Sequence, residues 1–205
     1  SYDQFRHDYL RGRNAIVSRI GIGNGAHWAD FGCGTGHLLQ EAGDAAKKCG
    51  RITLIDLCPS LLRIAERRVK SLGLDNVELL EADVTTLHDL GELDCVTMSY
   101  SLSMIPNWYS AIDLAHASLK PGGRIGVADF FIAKKYPDPP LPTQGWLSRN
   151  FWPACFGWDN VWPNPDHIPY LSSKFHIEWF QRGRTKIPGL PFLRPPYYQL
   201  IGVRK

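Results

Sequence analysis

The chain has 205 residues, enough for one domain with a sizeable core, and its 44% hydrophobic and 21% charged residues are ordinary for a globular protein. No apolar run approaches the roughly 18 residues that a membrane-spanning helix needs. The five cysteines are scattered without a C-x-x-C pair, which argues against a zinc site or a disulfide framework. Reduced thiols in the cytoplasm are the expectation.

The elements expected from the sequence alternate between helix and strand up to residue 135. In chain order they are a helix over 2–20, a strand over 26–31, a helix over 37–48, a strand over 51–57, a helix from Pro59 to before Gly73, a strand over 77–80, a strand over 94–100, a helix over 108–119 and a strand over 124–131. This alternation predicts βαβ units with right-handed crossovers, and therefore a doubly wound, mainly parallel α/β sheet.

The alternation stops after residue 135. Residues 136–170 are rich in Pro and Trp and have no clear period, so we expect an insertion on the substrate side. Two last strands, 175–180 and 197–203, have no helix between them and should pair antiparallel at a sheet edge. We predict one domain over 1–205 with a seven-stranded sheet and an N-terminal helix within the first 25 residues.

The formal net charge of +3 is unevenly distributed. Residues 1–135 carry 15 Lys/Arg and 16 Asp/Glu, whereas residues 136–205 carry 8 and 4 together with 5 of the 7 tryptophans. Such a basic, aromatic segment can contact an anionic membrane or an acidic ligand, or it can be a loop-rich cap with solvated charges. We expect no nucleic-acid partner and no metal site, and we expect contact with a membrane to be peripheral.

The strongest local signal is the run Asp30-Phe31-Gly32-Cys33-Gly34-Thr35-Gly36, between a strand and a helix. Glycines let the backbone turn sharply and let a ligand approach closely at the carboxyl end of a strand. Alone this turn also fits a dinucleotide dehydrogenase.

Two further acids narrow the choice of ligand. Asp56 ends the second strand, where a carboxylate can accept both hydroxyls of a ribose. Asp83 follows the third strand and can accept from the exocyclic amine of adenine, while Leu57 and Val84 sandwich the ring. A dehydrogenase does not need the second acid.

These features, with the turn Lys120-Pro121-Gly122-Gly123, resemble the class I S-adenosylmethionine (SAM)-dependent methyltransferases. The resemblance implies that Gly32, Gly34 and Gly36 cradle the methionine part of SAM, and that Asp56 and Asp83 hold its ribose and adenine. We expect Arg6 or Arg13 to bind the SAM carboxylate, because the N-terminal helix should close over the cofactor. Asp30 and Ser99 complete the expected cofactor site.

Other segments are similar to the methyltransferase half of betaine-lipid synthases. They include Ser99 to Pro106, Gly126 to Phe130, Phe151-Trp152, Tyr170-Leu171, and Leu193-Arg194 followed by Pro196-Tyr197-Tyr198. This resemblance implies three N-methylations of a diacylglyceryl-homoserine headgroup, and a separate or detached partner that transfers the aminocarboxypropyl group.

The acceptor site is expected from residue chemistry. Asp129, at the end of the fifth strand, is the candidate for holding the amine and taking its proton, with Tyr100 beside it and His167 as an alternative base. Aromatic walls suit a methylated ammonium, and an arginine can bind a carboxylate through a fork geometry. The candidate substrate-binding residues are Trp152, Tyr170, Arg194, Tyr197 and Tyr198.

Three alternatives stay open at this stage. The chain could methylate another amine, such as phosphatidylethanolamine or a small metabolite. It could be an NAD-binding oxidoreductase, although Asp83 and the lack of a hydride-transfer dyad argue against that. It could also be a non-catalytic subunit with the SAM-binding fold, which the intact glycines and acids disfavour.

Overall fold

The structure is a computed structural model, and it describes residues 10–137, 139, 141, 143–158, 160–187 and 192–205. Seven strands form one sheet, in the order β3-β2-β1-β4-β5-β7-β6. The strands are β1 (His27–Phe31), β2 (Arg51–Asp56), β3 (Val77–Glu81), β4 (Leu93–Ser99), β5 (Leu119–Phe130), β6 (Phe175–Arg184) and β7 (Pro196–Arg204). Strands β1 to β5 pair in parallel, and β7 pairs antiparallel with both β5 and β6. The predicted α/β sheet with an antiparallel C-terminal pair is confirmed.

Seven α-helices accompany the sheet within the described part of the chain. They are α1 (Arg13–Arg19), α2 (His37–Ala42), α3 (Asp44–Lys48), α4 (Pro59–Leu72), α5 (Trp108–Ser118), α6 (Trp146–Gly157) and α7 (His167–Lys174). None of the helices in these ranges is long and apolar enough to cross a membrane.

The sheet separates two apolar cores, because successive residues of a strand point to opposite faces. Trp28 of β1 joins a core that contains residues of α1, α2 and α4. Ala29 and Phe31 of the same strand join the other core, which α5 and α7 cover.

Several predicted boundaries were wrong, for local reasons. The described part of the N-terminal helix begins only at Arg13, because Gly12 stands before it in a left-handed conformation with φ of 92°. The helix predicted over 37–48 is two short helices, broken at Gly43 with φ of 53°. The predicted turn at Lys120–Gly123 lies inside β5, where the pairing register with β4 shifts.

The segment 136–170 contains helix α6 and the first residues of α7, and its sequence predicted neither helix. Helix α6 has apolar residues on both its inner and outer sides and Pro153 in its interior, so it has neither a helical period nor a helix-like composition.

Candidate active site

A large cleft opens at the carboxyl ends of the first four strands, where the order of the sheet reverses around β1. Open α/β sheets bind their ligands at such a switch point. The cleft has a volume of about 820 Å³, within the range for small-molecule and cofactor sites. Its lining includes the Gly-rich turn after β1, residues 55–58 at the end of β2, residues 82–85 after β3, and residues 99–101 and 103–107 at the end of β4 and beyond it.

The Gly-rich turn has the backbone that its glycines predicted. Gly32, Gly34 and Gly36 have φ of 70°, 56° and 68°. A side chain at Gly32 would place its Cβ 2.5 Å from the Cβ of Ser101, whereas a Cβ at Gly34 would meet open space. Gly32 and Gly34 line the cleft, but Gly36 packs against α4, because a Cβ there would lie 3.3 Å from that of Ala65. Gly36 therefore brings the turn close to a helix and is not one of the lining residues.

Asp56 connects the turn to the end of β2. Its carboxylate accepts hydrogen bonds from the backbone N–H of Gly34 at 2.7 Å and of Cys58 at 2.9 Å. A carboxylate has about four lone-pair sites, so two bonds leave capacity for ribose hydroxyls. Leu57 lines the same wall and is 66% exposed, which leaves its side chain available to an aromatic ring.

Asp83 follows β3 and lines the cleft beside the buried Val84. Its Oδ1 accepts from both the backbone N–H and the hydroxyl of Thr85, at 2.8 and 2.7 Å. Asp83 thus caps the short 3₁₀ helix Val84–Thr86. Both bonds go to one oxygen, so capping and adenine recognition are compatible.

Arg13, Asp30 and Ser99 lie on the floor of the cleft. Arg13 Nε donates to Ser99 Oγ at 2.9 Å, and the hydroxyl of Thr97 donates to Asp30 at 2.7 Å. Burial raises the pKa of Asp30 to about 7. Arg13 is the described candidate for a ligand carboxylate, while Arg6 lies outside the described residues.

Aromatic rings form the wall of the cleft beyond β4. Tyr100 has a positive φ of 55°, unusual for a residue with a side chain, and its hydroxyl donates to the backbone oxygen of Arg11 at 2.7 Å. Its ring meets that of Phe130 edge to face at 4.9 Å, and Phe130 lies 4.3 Å from Phe156 of α6. Trp152 stacks behind Phe156 at 5.6 Å and supports the wall without lining the cleft.

Two buried polar atoms of the lining have no hydrogen-bond partner among the described residues, Ser101 Oγ and Asn107 Oδ1. Buried polar groups are nearly always paired. The open cradle at Gly34, the acids Asp56 and Asp83, and these unpaired atoms fit a polar ligand such as SAM.

Asp129 does not line the cleft. It is fully buried, and it accepts from the hydroxyl of Ser103 at 2.6 Å, the backbone N–H of Ser103 at 3.0 Å and that of Phe130 at 2.7 Å. Burial raises its pKa to about 6, partly offset by these hydrogen bonds. Ser103 does line the cleft and stands in front of Asp129. Asp129 is therefore not placed for the predicted direct contact with an amine, and Ser103 is the residue that joins it to the cleft.

The other predicted acceptor residues lie away from the cleft. His167 is buried against Trp108, with ring centroids 4.8 Å apart, and burial lowers its pKa to about 4, which keeps it neutral. Tyr170 donates to Asp113 of α5 at 2.8 Å. Three more predicted residues are outside the lining: Arg194 is exposed, Tyr197 covers Gly183, and Tyr198 is buried opposite Asp129 in the sheet.

Sequence reasoning did not assign a role to Ser101, Ser103, Asn107, Phe130 or Phe156. The signal for the serines was their clustering directly after β4, at the edge where the cleft lies. Phe130 could have been found from strand alternation, because it and Asp129 must face opposite sides of the sheet.

Comparison with known proteins agrees with this geometry. Residues 29–123 match a family model described as a methyltransferase domain. A demethylmenaquinone methyltransferase from Staphylococcus epidermidis is 24% identical over 188 residues, which are 91% of this chain and 72% of the relative. Its namesake from Lactococcus lactis is 28% identical over 184 residues, covering 89% and 67% of the two chains.

The fold is shared with solved methyltransferases. The N-methyltransferase NodS from Bradyrhizobium japonicum, solved with S-adenosyl-L-homocysteine, superposes with a TM-score of 0.65 at 16% identity and covers 99% of this chain and 97% of its own. The methyltransferase match spans the strands and turns that build the cofactor end of the cleft. The chain is a SAM-dependent methyltransferase with the class I fold.

Proposed function

We propose that this enzyme N-methylates the amine of a lipid headgroup, with diacylglyceryl-homoserine as the acceptor and a betaine lipid as the product. The observation that carries the proposal is the uncharged, aromatic wall at one end of the cleft. We call this the acceptor end, and it is formed by the lining residues from Tyr100 onward. Among the described lining residues from position 100 onward none is charged, and Tyr100, Phe130 and Phe156 provide the rings. The sequence similarity to betaine-lipid synthases, which extends into the substrate-side segment, supports the same acceptor.

An aromatic wall suits an acceptor whose charge becomes permanent. Each methylation makes the nitrogen larger and removes an N–H donor. A carboxylate partner therefore loses a hydrogen bond to the nitrogen at each step. Ring faces attract a quaternary ammonium by about 0.5–2 kcal/mol without needing hydrogen bonds. The same wall can hold the amine, the methylated intermediates and the product, as successive transfers require.

Proton removal is assigned to Ser103 and Asp129. SAM bound in the cleft would supply a methyl group on a cationic sulfur, to be attacked in line by the nitrogen lone pair as the carbon–sulfur bond breaks. An ammonium headgroup has no free lone pair until it loses a proton. Ser103 Oγ accepts that proton while its own hydrogen passes to Asp129 across their 2.6 Å hydrogen bond. Orientation of the amine contributes much of the acceleration.

The test uses purified protein, methyl-labelled SAM and candidate acceptors in detergent micelles, where no bilayer is needed. Diacylglyceryl-homoserine should gain up to three methyl groups, read by mass spectrometry, and phosphatidylethanolamine should gain fewer or none. Phe156→Leu should raise KM for the methylated intermediates by about 2- to 30-fold, the equivalent of a lost cation–π contact. Tyr109→Leu, on the half-exposed surface of α5, is the control and should leave KM unchanged.

A second candidate is carbon methylation of a quinone-like ring, since two relatives bear the name demethylmenaquinone methyltransferase. The aromatic wall can stack on such a ring as well. Including a demethylmenaquinone in the acceptor panel separates the two. Label on the quinone and none on the homoserine lipid would replace the first proposal by the second.

A further inference from the structure

Helix α6 presents apolar side chains on both its inner and its outer side. Trp152 and Phe156, one turn apart, are buried and support the aromatic wall of the cleft. On the outer side Leu147, Phe151 and the C-cap residue Trp158 recur at helical spacing and are 75%, 43% and 92% exposed. A helix that is apolar all round is normally buried, so the outer side lacks the apolar surroundings that its composition requires.

Two more large apolar side chains at α6 are exposed. Trp146 is the first residue of the helix, and the ring of Trp162 lies against Gly157 at its other end. The backbone N–H of Trp162 donates to the backbone oxygen of Ser103 at 2.6 Å, which places this residue beside the acceptor end of the cleft. Tryptophan and tyrosine favour the interface between a bilayer and water, because their rings are apolar with one polar group.

Basic side chains stand at the same edge of the sheet. Arg182 pairs in register with Tyr198, which pairs with Asp129 at the end of β5. Arg182 and Arg184 are therefore at the same end of the sheet as the cleft, two strands beyond β5, and both are exposed. Each basic residue close to an anionic membrane surface contributes on the order of 1 kcal/mol to its attraction.

We propose that the outer side of α6, with Trp158 and the basic edge at Arg182 and Arg184, docks the enzyme on an anionic lipid bilayer. The outer side of the helix enters the interfacial layer while its inner side walls the cleft, so the acceptor end of the cleft faces the headgroups. This inference rests on the proposed lipid acceptor for its purpose, but its test does not depend on that acceptor.

Co-flotation with phosphatidylcholine vesicles, with and without phosphatidylglycerol, measures docking. Wild-type protein should float with the anionic vesicles, and less so at high salt, because charges are screened beyond about 8 Å at physiological ionic strength. Combined Leu147→Ser, Phe151→Ser and Trp158→Ser changes should weaken binding by at least about tenfold, as burial of even one such side chain is worth that much. Equal flotation of this variant and the wild type would overturn the proposal.

Two double variants, each lacking two positive charges, test the role of the basic residues in docking. Arg182→Gln with Arg184→Gln should reduce flotation, whereas Arg63→Gln with Arg67→Gln, which removes the same charge from the exposed side of α4, should not. Equal losses in both pairs would mean attraction by net charge alone and would contradict a defined surface.

A fluorophore on Cys155 tests the outer side of α6 without altering its apolar residues. Cys155 is exposed and Cys58 half-buried, while the other three cysteines are buried, so Cys58→Ser leaves one accessible site. Emission should shift to the blue on adding anionic vesicles. An unchanged spectrum, or a wild-type dimer that the triple variant converts to monomers, would assign this face to something other than a bilayer. Methylation in micelles alongside absent flotation would remove docking and leave the proposed function intact.

Discussion

Replacing Ser103 by Ala tests the proposed proton path at its exposed end. Asp129 accepts hydrogen bonds from the Ser103 hydroxyl and from the backbone N–H groups of Ser103 and Phe130, and the variant loses only the first. The two backbone bonds remain, so the carboxylate should keep its position. General-base catalysis typically contributes about 100- to 10,000-fold, and we expect kcat to fall within that range while SAM affinity stays unchanged.

The same proton path predicts how turnover depends on pH. Asp129 accepts a proton only as a carboxylate, and burial raises its pKa to about 6. Turnover by the wild type should therefore fall as the pH drops below about 6. Ser103→Ala and Asp129→Asn should both be partly rescued at high pH, where the amine arrives already neutral.

The assay is a pH–rate profile on diacylglyceryl-homoserine in micelles, with SAM affinity measured by calorimetry. Ser101→Ala is the matched control, since Ser101 also lines the cleft but its hydroxyl makes no hydrogen bond to a described residue. Because this hydroxyl is available to the cofactor, the variant should change SAM affinity more than kcat. Wild-type rates for Asp129→Asn across the whole profile would remove Asp129 from the mechanism, and equal losses in both serine variants would refute a path specific to Ser103.

Three further predictions concern the cofactor end and the core. Asp56→Ala should weaken SAM binding by about 1.5–3 kcal/mol in calorimetry, whereas Asp44→Ala on the surface should not; unchanged affinity would refute the ribose assignment. Gly32→Ala should lower the free energy of unfolding in denaturant more than Gly34→Ala, because an added Cβ at 32 meets a side chain 2.5 Å away and one at 34 meets open space. The folded pKa of His167 is about 4, so between pH 6.5 and 4 this side chain binds a proton mainly in the unfolded chain. The free energy of unfolding should therefore decrease as the pH falls through this range, by about 3 kcal/mol in total. His167→Gln should therefore remove that slope in pH-dependent unfolding, and parallel curves for variant and wild type would contradict it.

The cofactor end was predictable because local rules determine it. A glycine needs no neighbour to adopt a positive φ, and a residue that ends a parallel strand lies at the ligand edge wherever the strand sits in the sheet. Gly32, Asp56 and Asp83 therefore line the cleft as expected. Gly36 is the exception, because its closeness to Ala65 depends on how α4 packs.

The acceptor end depends on tertiary contacts, and several residues chosen there only for the chemistry of their side chains do not line the cleft. Asp129 was chosen for its carboxylate, but alternation along β5 turns it away from the cleft and brings Phe130 toward it. His167 was chosen for its usual pKa, which burial beside Trp108 lowers to about 4. The burial of His167 comes from the packing of α7 against Trp108 of α5, which no local pattern specifies.

The failure to predict α6 has the same physical origin as the surface proposed for it. A helix is recognised in a sequence when one side is apolar and the other polar, since that contrast is what folding in water demands. Helix α6 has no such contrast: Arg149 is its one charged residue, and Phe151 and Phe156 lie on opposite sides. Its inner side is satisfied by the aromatic wall of the cleft. Its outer side has the composition of a buried surface, and a bilayer interface would provide the missing apolar phase next to the acceptor end of the cleft.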